Sequence, residues 1–515
     1  MTSENSPTRR TVLKGLAAMP VLAALTDKEG AAAQTPAPVK FASKLPHTSP
    51  EAVGIDSAGI QSFLEAVNSK VGGLHSFILM RHGKVAAEGW WSPYAPQHPH
   101  MLYSLSKSFA STAVGFAVEE GEFTVDSLVT SFFPDELPAK IDANLAKMQV
   151  KHLLMMGTGH DKDATGAMTG SKDGNWVKAF LSLPVEHAPG SKFVYNSAAT
   201  YLLSAIVQKV VGKPILEYLT PRLFQPLGIK DATWENCPKG INVGGWGLSI
   251  KTEDIARFGQ TYLQKGKWND KQVIPAAWIE QATSKQISNG DPANASDWSQ
   301  GYGYQFWRSR HGLYRGDGAF GQYCVVMPEQ NAVLAITSGV GDMQAVLNAA
   351  WEHLLPAMKN ESSTKKSAID LKKTLNELAV PVIEGKPNSP ITERISGKTF
   401  TFEKNDNKIE SLSLTFSGDR CTIKLKDARG EHTAKCRMGD WARGKTTLID
   451  GLDGTAAIRG TWTADDMLAL QICFYKTPYI QTFTCRFEGD KLTLSRKLNV
   501  SFGPTTLPTL VGRMG

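Results

Sequence analysis

The sequence predicts a mixed α/β (α+β) unit followed by an all-β antiparallel barrel. Two observations carry this. Up to about residue 356, apolar residues recur at helical spacing in some segments and alternate as in strands in others. Beyond residue 392 the pattern changes to period two, as in Phe400/Phe402, Leu412/Leu414/Phe416, Cys421/Ile423/Leu425, Leu468/Leu470/Ile472/Phe474 and Phe483/Cys485/Phe487. Period two buries one face of a strand. Roughly eight such strands joined by short turns, with no helix-period run between them, argue a barrel or sandwich.

The elements follow in order. Residues 34–50 are rich in Pro, Ala and Ser and read as a linker. Ser57–Val67 has helical spacing. Ser76–Arg81 and Val85–Glu88 read as two strands about His82-Gly83-Lys84. A helix is expected over Met101–Glu120, ending at Gly121. Val150–Met156 reads as a short buried helix, and Gly157–Gly174 as a polar, glycine-rich loop of the kind that borders a site. Pro189-Gly190 begins a turn and a short extended piece that lead into a helix over Ala198–Val211. Further helices are expected at Pro214–Phe224, Thr252–Gln264, Pro275–Ala282 and Met343–Leu355. Tyr304–Trp307 and Leu313–Arg315 read as strands, and Gly316–Gly321 as a glycine bend before Gln322–Met327 and Val333–Thr337. Leu371, Leu375 and Leu378 mark one amphipathic helix in an otherwise charged and Pro-rich linker.

Composition bounds the class. The 515 residues leave room for two or three domains, and 42% hydrophobic with 20% charged residues is globular. The net charge of +7 is dispersed, with no basic cluster of the kind that binds nucleic acid. No apolar run reaches the ~18 residues that a membrane span needs. The first 33 residues read as an address. Thr8-Arg9-Arg10-Thr11-Val12-Leu13-Lys14 has a twin-arginine pattern, Gly15–Leu25 is mildly apolar, and Ala31-Ala32-Ala33 suits cleavage. The expectation is export to a bacterial periplasm with residues 1–33 removed. Six cysteines show no C-x-x-C pair and no zinc spacing, and His98 and His100 flank a proline in an expected loop, so no metal site is called for. Cys421, Cys436, Cys473 and Cys485 are equally compatible with a disulfide or with buried thiols.

The chemistry centres on Ser104 and Lys107. Residues three apart share a helix face, so the hydroxyl and the amine can meet. A serine hydroxyl needs a base to become a nucleophile, and a lysine desolvated by Leu105, Phe109, Ala113 and Phe116 can lose its charge and act as one. Ser-x-x-Lys also occurs at Ser362…Lys365 and Ser363…Lys366, in polar surroundings with no apolar face. Tyr195 precedes the Ala198–Val211 helix, where a phenol can shuttle a proton. The Gly316–Gly321 bend offers backbone N–H groups that can stabilise an oxyanion. Trp90, Trp91, Trp246 and Trp307 are candidates for an acyl pocket or for core packing.

Ser104-x-x-Lys107, Tyr195-Asn196-Ser197 and Gly316-Asp317-Gly318, in this order, resemble the serine β-lactamase-like superfamily. The similar branch holds class C β-lactamases, D-alanyl-D-alanine carboxypeptidases, family VIII carboxylesterases and 6-aminohexanoate-dimer hydrolases. Pro189-Gly190, Phe193, Tyr195, Gly247-Leu248 and Asp254 also look like that branch, and the C-terminal part resembles a lipocalin-like barrel extension carried by some members. The resemblance implies an antiparallel sheet flanked by helices, with a helical subdomain, and it implies no cofactor. Together with the leader pattern and the linker composition, it divides the chain into a signal peptide (1–33), a hydrolase domain (40–358), a linker with a short helix (359–392) and a barrel (393–515). It also implies roles: Ser104 as nucleophile of an acyl-enzyme, Lys107 and Tyr195 as general base and acid, and Ser197, Gly318 and Ala319 in substrate and oxyanion binding. The pattern departs from class C enzymes twice. Ser197 stands where an Asn is usual, and Gly-Asp-Gly replaces Lys-Thr-Gly, whose lysine and threonine bind the carboxylate of a β-lactam or a D-Ala-D-Ala peptide. Arg315 is not equivalent to that lysine. Ester or small-amide hydrolysis therefore ranks above β-lactam hydrolysis. The competing expectation is a catalytically weak or inactive cell-envelope binding protein.

Overall fold

The computed structural model describes residues 44–358, 367–449 and 453–515. The expected signal segment and the two further Ser-x-x-Lys matches lie outside the described residues.

The first domain is built on a six-stranded antiparallel sheet. Its order is Lys84–Trp90, Leu74–Arg81, Ala332–Ser338, Gln322–Met327, Tyr314–Gly318 and Trp307–Arg308. Alternation along each strand divides its side chains between two cores. Ile78, Met80, Cys324 and Val333 face one core with the helices Ser106–Glu119 and Thr252–Leu263, while Phe77, Leu79, Tyr323 and Leu334 face another with the helices Ser57–Ala66 and Met343–Ala349. The result is a helix–sheet–helix stack, enlarged on one side by a helical part that includes Val150–Leu154 and Ser197–Val211.

Two strand expectations need correction. Tyr304–Phe306 is not a strand, because Gln305 takes φ +66° and its side-chain amide bonds the carbonyls of Leu153 and Leu154 at 3.1 and 2.8 Å. Gly316–Gly318 is not a bend but the end of strand Tyr314–Gly318; the turn is Ala319–Gly321.

The second domain is a closed ring of nine strands: Thr399–Phe402, Ile409–Ser417, Arg420–Asp427, Gly430–Met438, Thr455–Ala464, Met467–Cys473, Ile480–Glu488, Lys491–Leu498 and Thr506–Met514, which returns to the first. An odd ring cannot be antiparallel throughout, and the parallel pair is Arg437/Met438 with Arg459/Gly460. The same edge of Thr455–Ala464 also carries the short strand Ala442–Lys445. The period-two residues fill the interior, among them Leu412, Ile423, Leu470 and Phe483. All six cysteines are free and buried. Cys421 and Cys436 face each other across neighbouring strands as thiols.

The linker packs rather than dangles. Leu371 and Leu378 are buried in the second core of the first domain, and Lys386 bridges to Trp462 of the barrel. Residues 474–479 of the barrel press on the segment that leads to Ser104. Met101 N–H donates to Lys476 O at 2.8 Å, the Tyr94 hydroxyl to Thr477 O at 3.3 Å, and the Tyr103 and Tyr479 hydroxyls bond each other. A Cβ on Gly339 would sit 2.2 Å from Pro478 O, so glycine is what permits the approach there. His100 is not in a loop but in the short strand His100–Met101, and its Nε2 lies 3.0 Å from His75 Nδ1 beneath the stacked ring of Tyr94. Burial holds both imidazoles below their usual range, His100 at about 4.

Candidate active site

The expected helix begins later than Met101. Tyr103–Leu105 forms a 3-10 turn that runs into the α-helix Ser106–Glu119. Tyr103 takes φ +47°, a strained value for a tyrosine, and this bend sets Ser104 at the mouth of the helix. The helix is buried almost throughout, and its hydroxyls find partners: Ser106 Oγ donates to Tyr103 O at 2.6 Å, Ser108 Oγ to Gln305 O at 2.9 Å and Ser111 Oγ to Tyr304 O at 2.7 Å. Strand Tyr314–Gly318 crosses the Ser104 turn at close range. A Cβ on Gly318 would lie 2.0 Å from Leu102 O, and one on Gly316 would lie 2.5 Å from Leu105 Cδ1.

Ser104 is half-buried and Lys107 is buried, 1% exposed. Lys107 Nζ lies 2.9 Å from Ser104 Oγ, 3.0 Å from Ser197 Oγ and 2.6 Å from Gly245 O. Burial pushes its pKa down to about 7, against the opposing pull of Asp163 and Asp317. A neutral amine has two N–H bonds and one lone pair. Gly245 O can only accept, and Ser197 Oγ can take the second N–H. The lone pair then faces the Ser104 hydroxyl.

Tyr195 has the Ser104 side chain as a neighbour that works against the rise of its pKa. Its ring lies 5.0 Å from Lys107 Nζ and stacks on Trp307 with centroids 5.3 Å apart. Burial, reinforced by Asp317, raises the phenol far above its usual range, so it carries its proton at neutral pH. Ser197 starts the helix Ser197–Val211, which Asn196 caps by accepting from Ala198 N–H at 3.1 Å.

Arg315 does not offer its guanidinium to a ligand. It is fully buried, pairs with Asp317 at 2.9 Å, donates to Asp297 O at 2.9 Å and Ser309 Oγ at 2.6 Å, and lies 4.6 Å from the Trp298 ring. Asp317 is thereby occupied; burial raises its pKa and Arg315 opposes the rise. Gly318 ends its strand against the Ser104 turn, and Ala319 opens the following turn, whose Phe320 packs on Tyr103 at 5.6 Å. Phe502 of the barrel reaches the same two rings, at 5.5 Å from Tyr103 and 4.7 Å from Phe320. Trp91 lies in the core beyond the sheet, whereas Trp307 packs on Tyr195.

The structure thus brings together Ser104, Lys107, Tyr195 and Ser197, with Gly318 against the same turn. Two contributors escape the sequence reading. Gly245 acts through its carbonyl, and its only signal is the Gly244–Gly247 loop. Asp163, in the polar loop before the Tyr195 segment, accepts from Ser197 N–H at 3.2 Å and bears electrostatically on Lys107 and Tyr195.

This fold and side-chain arrangement are those of an active-site-serine hydrolase scaffold. The family model described as Beta-lactamase matches residues 70–355, and the chain belongs to that family. It is 26% identical over 287 residues to a 6-aminohexanoate-dimer hydrolase of Paenarthrobacter ureafaciens, a match covering 52% of this chain and 73% of that protein. It is 28% identical over 213 residues to esterase EstB of Burkholderia gladioli, covering 35% of this chain and 53% of the esterase, so the chain spans only about half of that relative. A solved Bacillus anthracis structure described as a 6-aminohexanoate-dimer hydrolase aligns with TM-score 0.50 and 18% identity over 61% of this chain and 88% of that one. That likeness concerns the fold of the first domain.

Proposed function

We propose that the protein is an exported serine hydrolase that cleaves an ester or a small amide through an acyl-enzyme on Ser104. The observation that carries this reading is the Lys107 amine 2.9 Å from Ser104 Oγ, buried and shifted to titrate at about 7. In the first half-reaction Ser104 Oγ attacks the substrate carbonyl while Lys107 takes its proton. The tetrahedral oxyanion is held by backbone N–H groups at Ser104 and at the Gly318–Ala319 strand end. Collapse breaks the bond to the leaving group, which takes the proton of Tyr195, and the proton on Lys107 then restores the phenol. In the second half-reaction water attacks the acyl-enzyme and the same groups work in reverse, releasing a carboxylic acid and free Ser104. The occupied Arg315–Asp317 pair supports the preference for esters and simple amides over β-lactams, because the Arg315 guanidinium is already taken up by Asp317 and Gly316 stands at the position of the family's lysine. The leader pattern at Arg9-Arg10 supports export.

The test is turnover of p-nitrophenyl butyrate by wild type and by Ser104→Ala, with far-UV circular dichroism as the folding control. Loss of turnover in a folded variant is expected. Turnover that persists would remove Ser104 from its role. A folded wild type that cleaves no ester, amide or β-lactam and takes no fluorophosphonate adduct would leave the envelope-binding alternative.

A further inference from the structure

A cavity of about 710 Å³ lies at the mouth of the barrel, where it meets the first domain. Tyr103, the neighbour of Ser104, lines it, as does Trp246, the neighbour of Gly245. Its far wall is the barrel interior, with Ile409, Leu425, Phe483 and Leu507 as apolar lining and Arg496 among them. Arg496 is only 7% exposed, and its Nε and Nη2 are buried with no hydrogen-bond partner among the described residues. Other buried arginines are engaged. Arg459 donates to Gln471 Oε1 at 2.7 Å and Pro381 O at 2.6 Å, and Arg81 donates to Gly54 O at 2.6 Å. The acids around the cavity are engaged as well: Asp427 is held by Arg429 at 2.6 Å and by His432 at 2.9 Å, and Glu235 accepts from Trp246 Nε1 at 3.1 Å. A guanidinium withdrawn from water without a partner is unfavourable unless a ligand completes it.

We propose that Arg496 is the anion-binding residue of this cavity and takes the carboxylate of the substrate, at the end remote from the bond that Ser104 cleaves. This rests on the acyl-enzyme reading for its second half, the link to Ser104, and on the cavity and Arg496 alone for its first half, the anion site. A guanidinium fork matches a carboxylate with two parallel N–H···O bonds. One unengaged cation suits a monoanion and falls short of a phosphate dianion. The apolar lining suits an aliphatic or aromatic body behind the charged group. The barrel then supplies the charge recognition that Gly-Asp-Gly does not supply in the first domain.

Two arms test this. Calorimetric titration of the full-length protein with hexanoate and its neutral isostere hexanamide should show hexanoate binding at least tenfold more tightly. That advantage should vanish in Arg496→Gln and be partly kept in Arg496→Lys. Equal binding, no binding of either, or an advantage that survives Arg496→Gln overturns the anion site, whether or not any ester is turned over. In the second arm, kcat/KM for the mono-p-nitrophenyl ester of adipic acid is compared with that for p-nitrophenyl hexanoate. The ratio should exceed ten in wild type and fall towards one in Arg496→Gln. A wild-type ratio near one, with turnover dependent on Ser104, overturns the link to the substrate. Turnover that survives Ser104→Ala sinks the acyl-enzyme reading instead and leaves the anion site to the calorimetry.

Discussion

Each domain buries a cation, and the two are treated in opposite ways. Lys107 in the first domain has Ser104, Ser197 and Gly245 within 3.0 Å. Arg496 in the barrel has no partner for two of its nitrogens. An amine can answer burial by giving up its proton; a guanidinium cannot, because its pKa lies too high. In the proposed reading the first arrangement serves as a base and the second as an anion-binding group. On that reading the same physical cost, desolvation of charge, serves chemistry in one place and recognition in the other.

The comparison can be broken in graded steps. Ser104→Ala removes the group that Lys107 serves and should lower kcat by about 10⁴-fold or more, read as ester turnover in a protein that still folds. Tyr195→Phe keeps the stack on Trp307 and deletes the proton, so kcat should fall by about 10²–10³-fold with KM little changed. Gly318→Ala drives a Cβ towards Leu102 O and should displace the Ser104 turn, lowering kcat by about 10²-fold and stability by ~1–3 kcal/mol. Gly444→Ala, in the open short strand of the barrel with nothing within 4 Å of the added atom, should leave both unchanged. Arg496→Leu should raise the stability of the ligand-free protein by ~1–2 kcal/mol, visible as a higher Tm, because an unpartnered charge is replaced by apolar packing.

A further effect, dependent on pH, concerns the seam between the domains. His75 and His100 have folded pKa values below the ordinary 6.5, so the unfolded chain binds protons that the folded chain refuses. Their contribution to stability is complete above about 6.5 and declines as pH falls from there towards about 4. Thermal melts across that window should show the decline, and His100→Gln should flatten it. A Tm independent of pH there would contradict the buried neutral pair.

The sequence carries some of this plainly and hides the rest for physical reasons. The roles proposed for Ser104, Lys107 and Tyr195 rest on side chains whose identity and spacing can be read. Gly245 acts through a carbonyl that any residue possesses, so only the crowding of glycines hints at it. The barrel is legible from alternation, except at its seam: Ala442-Arg443-Gly444-Lys445 has no apolar face, and the strands on either side of it pair in parallel, where alternation alone would suggest an antiparallel meander. The turn of Ala319–Gly321 and the glycine strand before it look alike in sequence, because glycine serves both a bend and a close approach. Arg496 is in the inward row of Leu492, Leu494 and Arg496, a placement that alternation gives but that a charged residue disguises as solvated surface.

Whether Lys107 activates Ser104 is tested by the pH dependence of fluorophosphonate labelling, with the site of attachment read by mass spectrometry. The adduct should sit on Ser104, and its rate of formation should climb about tenfold per pH unit below about 7 and level off above it, following the loss of the Lys107 proton. An adduct elsewhere, or a rate that keeps rising past pH 9, would contradict the account.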